Sequence, residues 1–212
     1  AKLAGIAYIL AVALGVVVGV VAAVNHGKWV DSVLMTISVF GISAPAFWIA
    51  IILQIVICLK FNLLPLSGID SFKSFILPGI ALGTRYAASI ARITRTSMLD
   101  VLSQDYIRTA EAKGLKGWVV TIKHALRNAL IPIITIAGSD LGNILTGSVL
   151  VESVFSIPGI GKMLVDSINT RDLPIVQGGV MYIAVICVIM YLVVDLLYTV
   201  VDPRIRLGKE SS

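Results

Sequence analysis

Three ionisable residues, Arg85, Asp140 and Asp195, lie inside long apolar runs of this sequence. A charged side chain is costly in a hydrocarbon layer, so an intramembrane charge normally faces a cavity, a partner or an interface. These three side chains are therefore candidates for lining a polar pathway. They could equally pair with each other or with a neighbouring subunit, and the residues alone leave both interpretations open.

The other residue types that carry chemistry do not form a catalytic or metal-binding pattern. An intramembrane hydrolase needs a Ser–His pair, paired carboxylates or a His-Glu-x-x-His motif. The two histidines, His26 and His124, lie in polar connections, and the two intramembrane carboxylates have no such motif around them. Cys58 and Cys187 lie in separate apolar runs without metal-ligand spacing, so we expect them to pack as small hydrophobes. We predict no catalytic residue and no metal site in this chain.

The apolar runs that hold these residues are long enough to cross a membrane. Of the 212 residues, 58% are hydrophobic and 14% are charged, whereas a soluble domain carries about 25% charged residues. A transmembrane helix needs about 20 apolar residues, and five runs satisfy this requirement: 3–24, 32–59, 75–99, 131–151 and 177–201. We therefore predict an all-α integral membrane protein with five transmembrane helices, forming a single domain over residues 1–212. Such runs do not supply the basic face that nucleic-acid binding needs, despite a net charge of +5.

Two local patterns predict how these runs bend and pack. Pro45 lies inside the second run, where a proline removes a backbone donor and clashes with the preceding turn, so we expect a bend there. In the third run, small residues recur every four positions and share one helix face: Gly79, Gly83, Ala87 and Ala91. Because small residues let two membrane helices approach closely, this ridge predicts a helix–helix contact.

The basic residues indicate which side of the membrane each connection faces. Eight Lys and Arg residues lie between positions 85 and 127, whereas those in the alternate connections are offset by acidic residues. Cytoplasmic connections carry the excess of Lys and Arg, so the segment 100–130 is predicted to be cytoplasmic and residue 1 to lie outside. An outside start without a signal sequence leads us to expect at least one earlier span before residue 1.

The cytoplasmic segment has the pattern of two short helices. Asp105 is a candidate N-cap and Gly114 a candidate C-terminal stop for the first helix. A second, amphipathic helix is predicted to carry one apolar face, formed by Trp118, Ile122, Ala125, Leu126 and Ala129. Such a segment either lies on the membrane surface or fits a groove in a soluble partner, and the residues leave these two interpretations open.

Several motifs in order resemble one family of membrane proteins. Residues 108–114, RTAEAKG, resemble the cytoplasmic EAA loop of bacterial ABC-importer permeases, in the dipeptide/oligopeptide/nickel branch. Residues 91–99 (ARITRTSML), the TGS at 146–148 with Glu152 and IPGIG at 157–161, and DPRIR at 202–206 resemble further motifs of that branch. Arg108 stands where the wider family has Glu, and Thr109 stands at its first Ala. The resemblance covers essentially the whole chain.

The resemblance implies a transport subunit that has no enzymatic activity of its own. It would form half of a translocation pathway for di- or oligopeptides in the bacterial cytoplasmic (inner) membrane. Its partners would be a second permease subunit, ATP-binding subunits that hold ATP and Mg, an extracytoplasmic substrate-binding protein and membrane lipid, with no cofactor in this chain. Nickel or a nickel chelate is the alternative substrate within the branch. A secondary transporter is the alternative outside it, although the sequence shows no paired inverted repeats.

The resemblance also assigns roles to two segments. The short cytoplasmic helix would enter a cleft of the ATP-binding subunit through the coupling residues Asp105, Tyr106, Ile107, Arg108, Thr109, Ala110, Glu111, Ala112, Lys113, Gly114 and Leu115. We expect the core of that contact to be Tyr106, Ile107, Ala110 and Gly114. After the fourth run, the chain would fold back as a short re-entrant helix whose outer gate is Ile157, Pro158, Gly159, Ile160 and Gly161. A plain ordered loop is the alternative for this second segment.

Overall fold

The computed structural model of the chain describes residues 2–68, 71–146 and 148–201, without the side chains of 145, 146, 148, 194, 195 and 197–201. The described helices are α1 Lys2–Val24, α2 Trp29–Ser43, α3 Ala46–Leu53, α4 Ile76–Leu102, α5 Asp105–Ala112, α6 Gly117–Val119, α7 Arg127–Thr146, α8 Ser148–Val154, α9 Ile160–Asn169 and α10 Leu173–Val201. π-Helical turns extend α3 through Gln54–Lys60 and join α6 to α7 through Val120–Leu126, and a 3-10 turn, Phe72–Phe75, precedes α4. The described chain is all-α, as predicted.

Membrane-spanning length and apolar composition occur together in several of these segments. Lys2–Val24, Gly117–Ile144 and Leu173–Val193 are each long and apolar enough to cross a membrane. α2 and the extended α3 satisfy the same criteria as a pair but meet at 106°. α4 has 27 residues, which at about 1.5 Å per residue is sufficient to span, but it carries three arginines. The described residues thus contain three helices that are long and apolar enough to span, or four with the bent pair, and α4 is the remaining one of the five predicted spans.

The bend between α2 and α3 occurs where the sequence predicts it. The Ala44 amide donates to the Phe40 carbonyl at 2.9 Å and ends α2, and Pro45 follows in an extended conformation before α3 begins. Proline cannot continue the hydrogen-bond ladder of the preceding helix. Further along, Gln54 Nε2 donates to the Val154 carbonyl at 3.1 Å. α3 and its extension therefore reach the end of the molecule that holds α8.

α1 and α4 pack with their backbones almost in contact. A Cβ atom added at Gly83 would lie 2.8 Å from the Ala7 carbonyl oxygen, and one added at Gly15 would lie 2.7 Å from the Ala87 carbonyl oxygen. The small-residue ridge predicted on α4 is therefore confirmed as a helix–helix contact. A matching ridge on α1 was not predicted from the sequence; its buried small residues also recur every four positions: Ala7, Ala11, Gly15 and Gly19.

Two clusters of buried side chains hold opposite ends of this helix pair. One cluster joins the start of α1 to the start of α4 and to α8, and it includes Ala4, Leu77 and Val151. The other joins the ends of α1 and α4 to α5, and it includes Met98 and Ile107. The molecule therefore has an α8–α9 end and an α5 end. The excess of basic residues predicts that the α5 end faces the cytoplasm.

Candidate functional site

The short helix α5 follows α4 after a two-residue turn. Its cap position is Gln104, which is extended with φ −77° and ψ 148°, so the predicted N-cap, Asp105, is instead the first helical residue. Gly114 has a φ of +75°, a left-handed conformation that glycine adopts without the steric cost of a Cβ atom. The predicted stop at Gly114 is confirmed, and α5 is a compact helix with defined ends.

The inner face of α5 anchors the helix to the membrane helices. Ile107 and Ala110 are 2% and 6% exposed, and both belong to the buried cluster that includes Met98. Tyr106 also helps to hold the helix, since its hydroxyl oxygen accepts a hydrogen bond from Asn128 Nδ2 at 3.1 Å. The expected contact core needs correction, because Ile107 and Ala110 are covered by their own chain and cannot contact a partner.

The opposite face of α5 is open to solvent. Successive residues turn by about 100° around an α-helix, and the exposed residues opposite the anchored side are Asp105, Arg108, Thr109 and Ala112. We call these four residues the outward face. Arg108 and Asp105 approach to 3.8 Å with side chains 77% and 98% exposed, so their mutual attraction is weak and leaves both available for a partner. The other predicted coupling residues, Glu111, Lys113, Gly114 and Leu115, are exposed beside this face.

The connection from α5 into α7 departs from the predicted amphipathic helix. In the π-helical Val120–Leu126, hydrogen bonds run to the fifth residue rather than the fourth, which changes the direction of the following side chains. Ala125 is buried, whereas Trp118 and Ile122 are 68% and 51% exposed. The chain itself covers only part of the predicted apolar face, and the exposed Trp118 and Ile122 leave both interpretations of this face, membrane surface and partner groove, open.

At the other end of the molecule, α8 and α9 form an elbow around a buried carboxylate. The Gly161 amide donates to Glu152 Oε2 at 2.9 Å, and Glu152 is 8% exposed. A Cβ atom at Gly159 would overlap the Glu152 carboxylate, and one at Gly161 would overlap the backbone of Val149. A negative charge is favourable at the N-terminus of a helix such as α9. The predicted short helix is present. Gly159 and Gly161 leave room for the Glu152 carboxylate, and this contact was not predicted from the sequence.

The intramembrane charges are only partly brought together. Arg85 on α4 attracts Asp140 on α7, but these two described side chains do not form a direct ion pair. Asp140 Oδ2 is buried without a hydrogen-bond partner in the described part of the chain. The structure therefore places Arg85 and Asp140 in one region without pairing them, and the two interpretations of these charges stay open. The side chain of Asp195 and the DPRIR motif lie outside the described residues.

A strong ion pair that the sequence analysis did not predict fastens the α1–α2 turn to α4. Arg95 Nε and Nη2 donate to the two carboxylate oxygens of Asp31 at 2.6 and 2.7 Å. The Gly27 amide donates to the same carboxylate at 3.2 Å, and Asp31 is 4% exposed. Two-pronged arginine–carboxylate pairs are among the strongest polar contacts in proteins. An acidic residue in the first turn of an apolar helix was the sequence signal, but it does not identify Arg95 as the partner.

Comparison with known proteins shows which family this chain is similar to. Residues 15–207 match the family described as "Binding-protein-dependent transport system inner membrane component". The chain is 45% identical over 196 residues to the glutathione transport system permease protein GsiC of Escherichia coli (strain K12), an alignment that covers 92% of this chain and 64% of that protein. It is 45% identical over 198 residues to GsiC of Salmonella typhi, covering 93% and 65%. The chain therefore spans just under two thirds of the length of these relatives.

A solved structure shares the fold. The chain resembles a chain in the "Crystal structure of an amino acid ABC transporter with histidines", with a TM-score of 0.64 over 96% of this chain and 91% of that one. The two sequences are 19% identical, so this likeness concerns the fold alone. From the match over residues 15–207, the chain belongs to the family of binding-protein-dependent transport system inner membrane components.

Proposed function

We propose that this chain is the transmembrane permease subunit of an ATP-driven importer and that it forms half of the translocation pathway for small peptides. Family membership supports a role in binding-protein-dependent transport. The relatives at 45% identity are named for glutathione, which is a peptide, and this supports a peptide-type substrate. The partners would be a second permease subunit, ATP-binding subunits and an external substrate-binding protein.

The geometry of α5 is the observation that carries this proposal. Coupling between ATP hydrolysis and transport needs an element that both the ATP-binding subunit and the membrane helices can bias. α5 is anchored to the end of α4 through the buried Ile107 and Ala110. Its outward face is not covered by the described part of the chain. We propose that the outward face docks in a cleft of the ATP-binding subunit, which would hold ATP and Mg.

The elbow between α8 and α9 is the proposed outer gate. Its buried Glu152 and its glycines Gly159 and Gly161 fix the angle at which α9 leaves α8. α9 also packs against α10, since a Cβ atom at Gly179 would lie 2.5 Å from the Leu164 side chain. A displacement of α10 would therefore move α9, and a binding protein docked at this end would act on the same elbow.

Uptake into proteoliposomes tests this function. The full-length protein, its second permease subunit, ATP-binding subunits and binding protein would be reconstituted and supplied with radiolabelled dipeptides, glutathione and nickel. We expect peptide uptake that requires ATP hydrolysis and persists when the proton gradient is dissipated. Uptake that requires the proton gradient and does not depend on ATP would contradict the proposal and favour a secondary transporter. Uptake of nickel without peptide would overturn the substrate assignment.

Two neighbouring substitutions on α5 sharpen this test. Ala112 lies on the outward face, whereas Glu111 is exposed on a different side of the same helix, along a groove that also involves Trp118. We expect Ala112→Trp to abolish peptide uptake because the indole would prevent docking in a cleft. Glu111→Trp is the matched control and should retain most of the uptake. Equal uptake by the two variants would refute the assignment of the outward face.

A further inference from the structure

A cavity of about 970 Å³ lies at the α8–α9 end of the molecule, between α9 and α10. One wall is the α8–α9 elbow with Glu152 and Gly161, and the other wall includes Tyr182, Ile186 and Cys187 of α10. Sites for small molecules commonly measure about 300–1,000 Å³. The cavity therefore has the capacity for a small organic solute, and it adjoins the elbow that we propose as the outer gate.

The charged groups around the cavity favour a cation. Three carboxylates line it, Glu152, Asp166 and Asp172, together with the single ammonium of Lys162. Lys162 Nζ is already bound to Asp166 Oδ2 at 2.8 Å. The lining therefore carries an excess of negative charge, and an opposite charge near a carboxylate is stabilised most where water is partly excluded.

The remaining lining is largely apolar. Ile183 and Ile186 of α10 and Met163 of α9 contribute hydrocarbon to the walls. Ligand sites typically combine such walls with a few polar groups that fix orientation. This distribution suits a solute that has a cationic end and apolar side chains.

We propose that this cavity binds the transported solute at the outer end of the pathway and that the solute is a small peptide with a free amino terminus. Its ammonium group faces the carboxylates of Glu152 and Asp172, and its side chains pack against Ile183 and Ile186. This inference rests on the proposed function, since it names a resting site for the substrate of the same importer. It adds a site and a chemical requirement that family membership does not supply.

The native thiol of Cys187 provides a direct test, because this free cysteine lines the cavity. The full-length complex in nanodiscs would be labelled with a maleimide, and the modified Cys187 peptide would be quantified by mass spectrometry. We expect the dipeptide Ala-Phe to slow labelling of Cys187 several-fold and N-acetyl-Ala-Phe to leave the rate unchanged. Cys58, which is buried in the cluster at α3, is the internal control and should show no response. A Met163→Cys variant places a second reporter on the opposite wall.

Each other outcome overturns part of the proposal. Equal protection by the two peptides would refute the ammonium requirement. A complex that transports peptide without protection at either reporter would refute the cavity site while leaving the proposed function intact. Reporters that do not react even without peptide would show that protein or lipid fills the cavity in the complex, which also refutes the site.

A pair of tryptophan substitutions on α10 provides an independent test. Ile186 lines the cavity, whereas Val188 lies outside this lining and is 68% exposed. We expect Ile186→Trp to lower the apparent peptide affinity by about tenfold, which corresponds to about 1.4 kcal/mol, and Val188→Trp to leave it unchanged. Co-purification with the partner subunits verifies that both variants assemble. Equal affinities in two assembled variants would contradict the proposal.

Discussion

The close contact between α1 and α4 predicts a graded response to glycine-to-alanine substitutions. At Gly178 nothing lies within 4 Å of an added Cβ atom, so alanine should stabilise α10 by about 0.5–1 kcal/mol through its better helix propensity. At Gly83 the added Cβ atom would lie 2.8 Å from the Ala7 carbonyl oxygen. That oxygen belongs to a helix backbone and cannot rotate away, and overpacking of this kind costs about 1–3 kcal/mol. Gly83 is also a helix-interior glycine, so alanine gains the same propensity there, and the two variants should differ by the overpacking cost alone, about 1–3 kcal/mol.

An intermediate position makes the series quantitative. At Gly79 the nearest atom to an added Cβ is a side-chain methyl of Ile6 at 3.2 Å, which can shift slightly, so Gly79→Ala should fall between the other two variants. The thermal midpoint of the purified full-length protein in one detergent, followed by circular dichroism, would rank the three. Gly5→Ala on α1, where nothing lies within 4 Å of the added Cβ atom, provides a second control and should behave like Gly178→Ala. A Gly83→Ala midpoint equal to or above that of Gly178→Ala would refute the close-packing account.

Two further predictions concern polar contacts between helices. Asp31→Asn or Arg95→Gln should destabilise the protein by about 3–5 kcal/mol, because removing one partner of a buried pair leaves the other uncompensated. Unchanged thermal midpoints in both variants would contradict this role of the pair. At the α8–α9 elbow, Gly161→Ala should lower both the thermal midpoint and peptide uptake, because the new methyl overlaps the α8 backbone. Glu152→Gln keeps one acceptor oxygen for the Gly161 amide and should lower the thermal midpoint less. A thermal midpoint of Gly161→Ala as high as that of Gly178→Ala would contradict the tight packing of the elbow.

The features that the sequence predicted well depend on neighbours in the chain. Pro45 breaks the second run because a proline ring clashes with the turn before it. Gly114 ends α5 because a glycine accepts the required positive φ. The α4 ridge at Gly79 and Gly83 was visible because a helix repeats its face about every four residues. In each case the physical cause lies within one turn of helix, so the sequence alone was sufficient.

The features that were missed depend on contacts between distant segments. Asp31 and Arg95 come together only because α1, α2 and α4 pack at the same end of the molecule. Ile107 was expected to contact a partner, but which face of an amphipathic helix is buried by its own chain depends on the position of α4. The π-helical Val120–Leu126 was also not predicted, because its wider turn is not visible in an α-helical periodicity.

Disulfide cross-linking tests whether the outward face of α5 docks on the ATP-binding subunit. Ala112→Cys and Glu111→Cys variants of the full-length importer would each be paired with cysteines introduced along the cleft of the ATP-binding subunit. We expect Ala112→Cys to cross-link efficiently and the link to block ATP-dependent peptide uptake until it is reduced, whereas Glu111→Cys should cross-link poorly. Efficient cross-linking of Glu111→Cys without that of Ala112→Cys, or no cross-link from either in an actively transporting complex, would contradict the docking of α5 through its outward face.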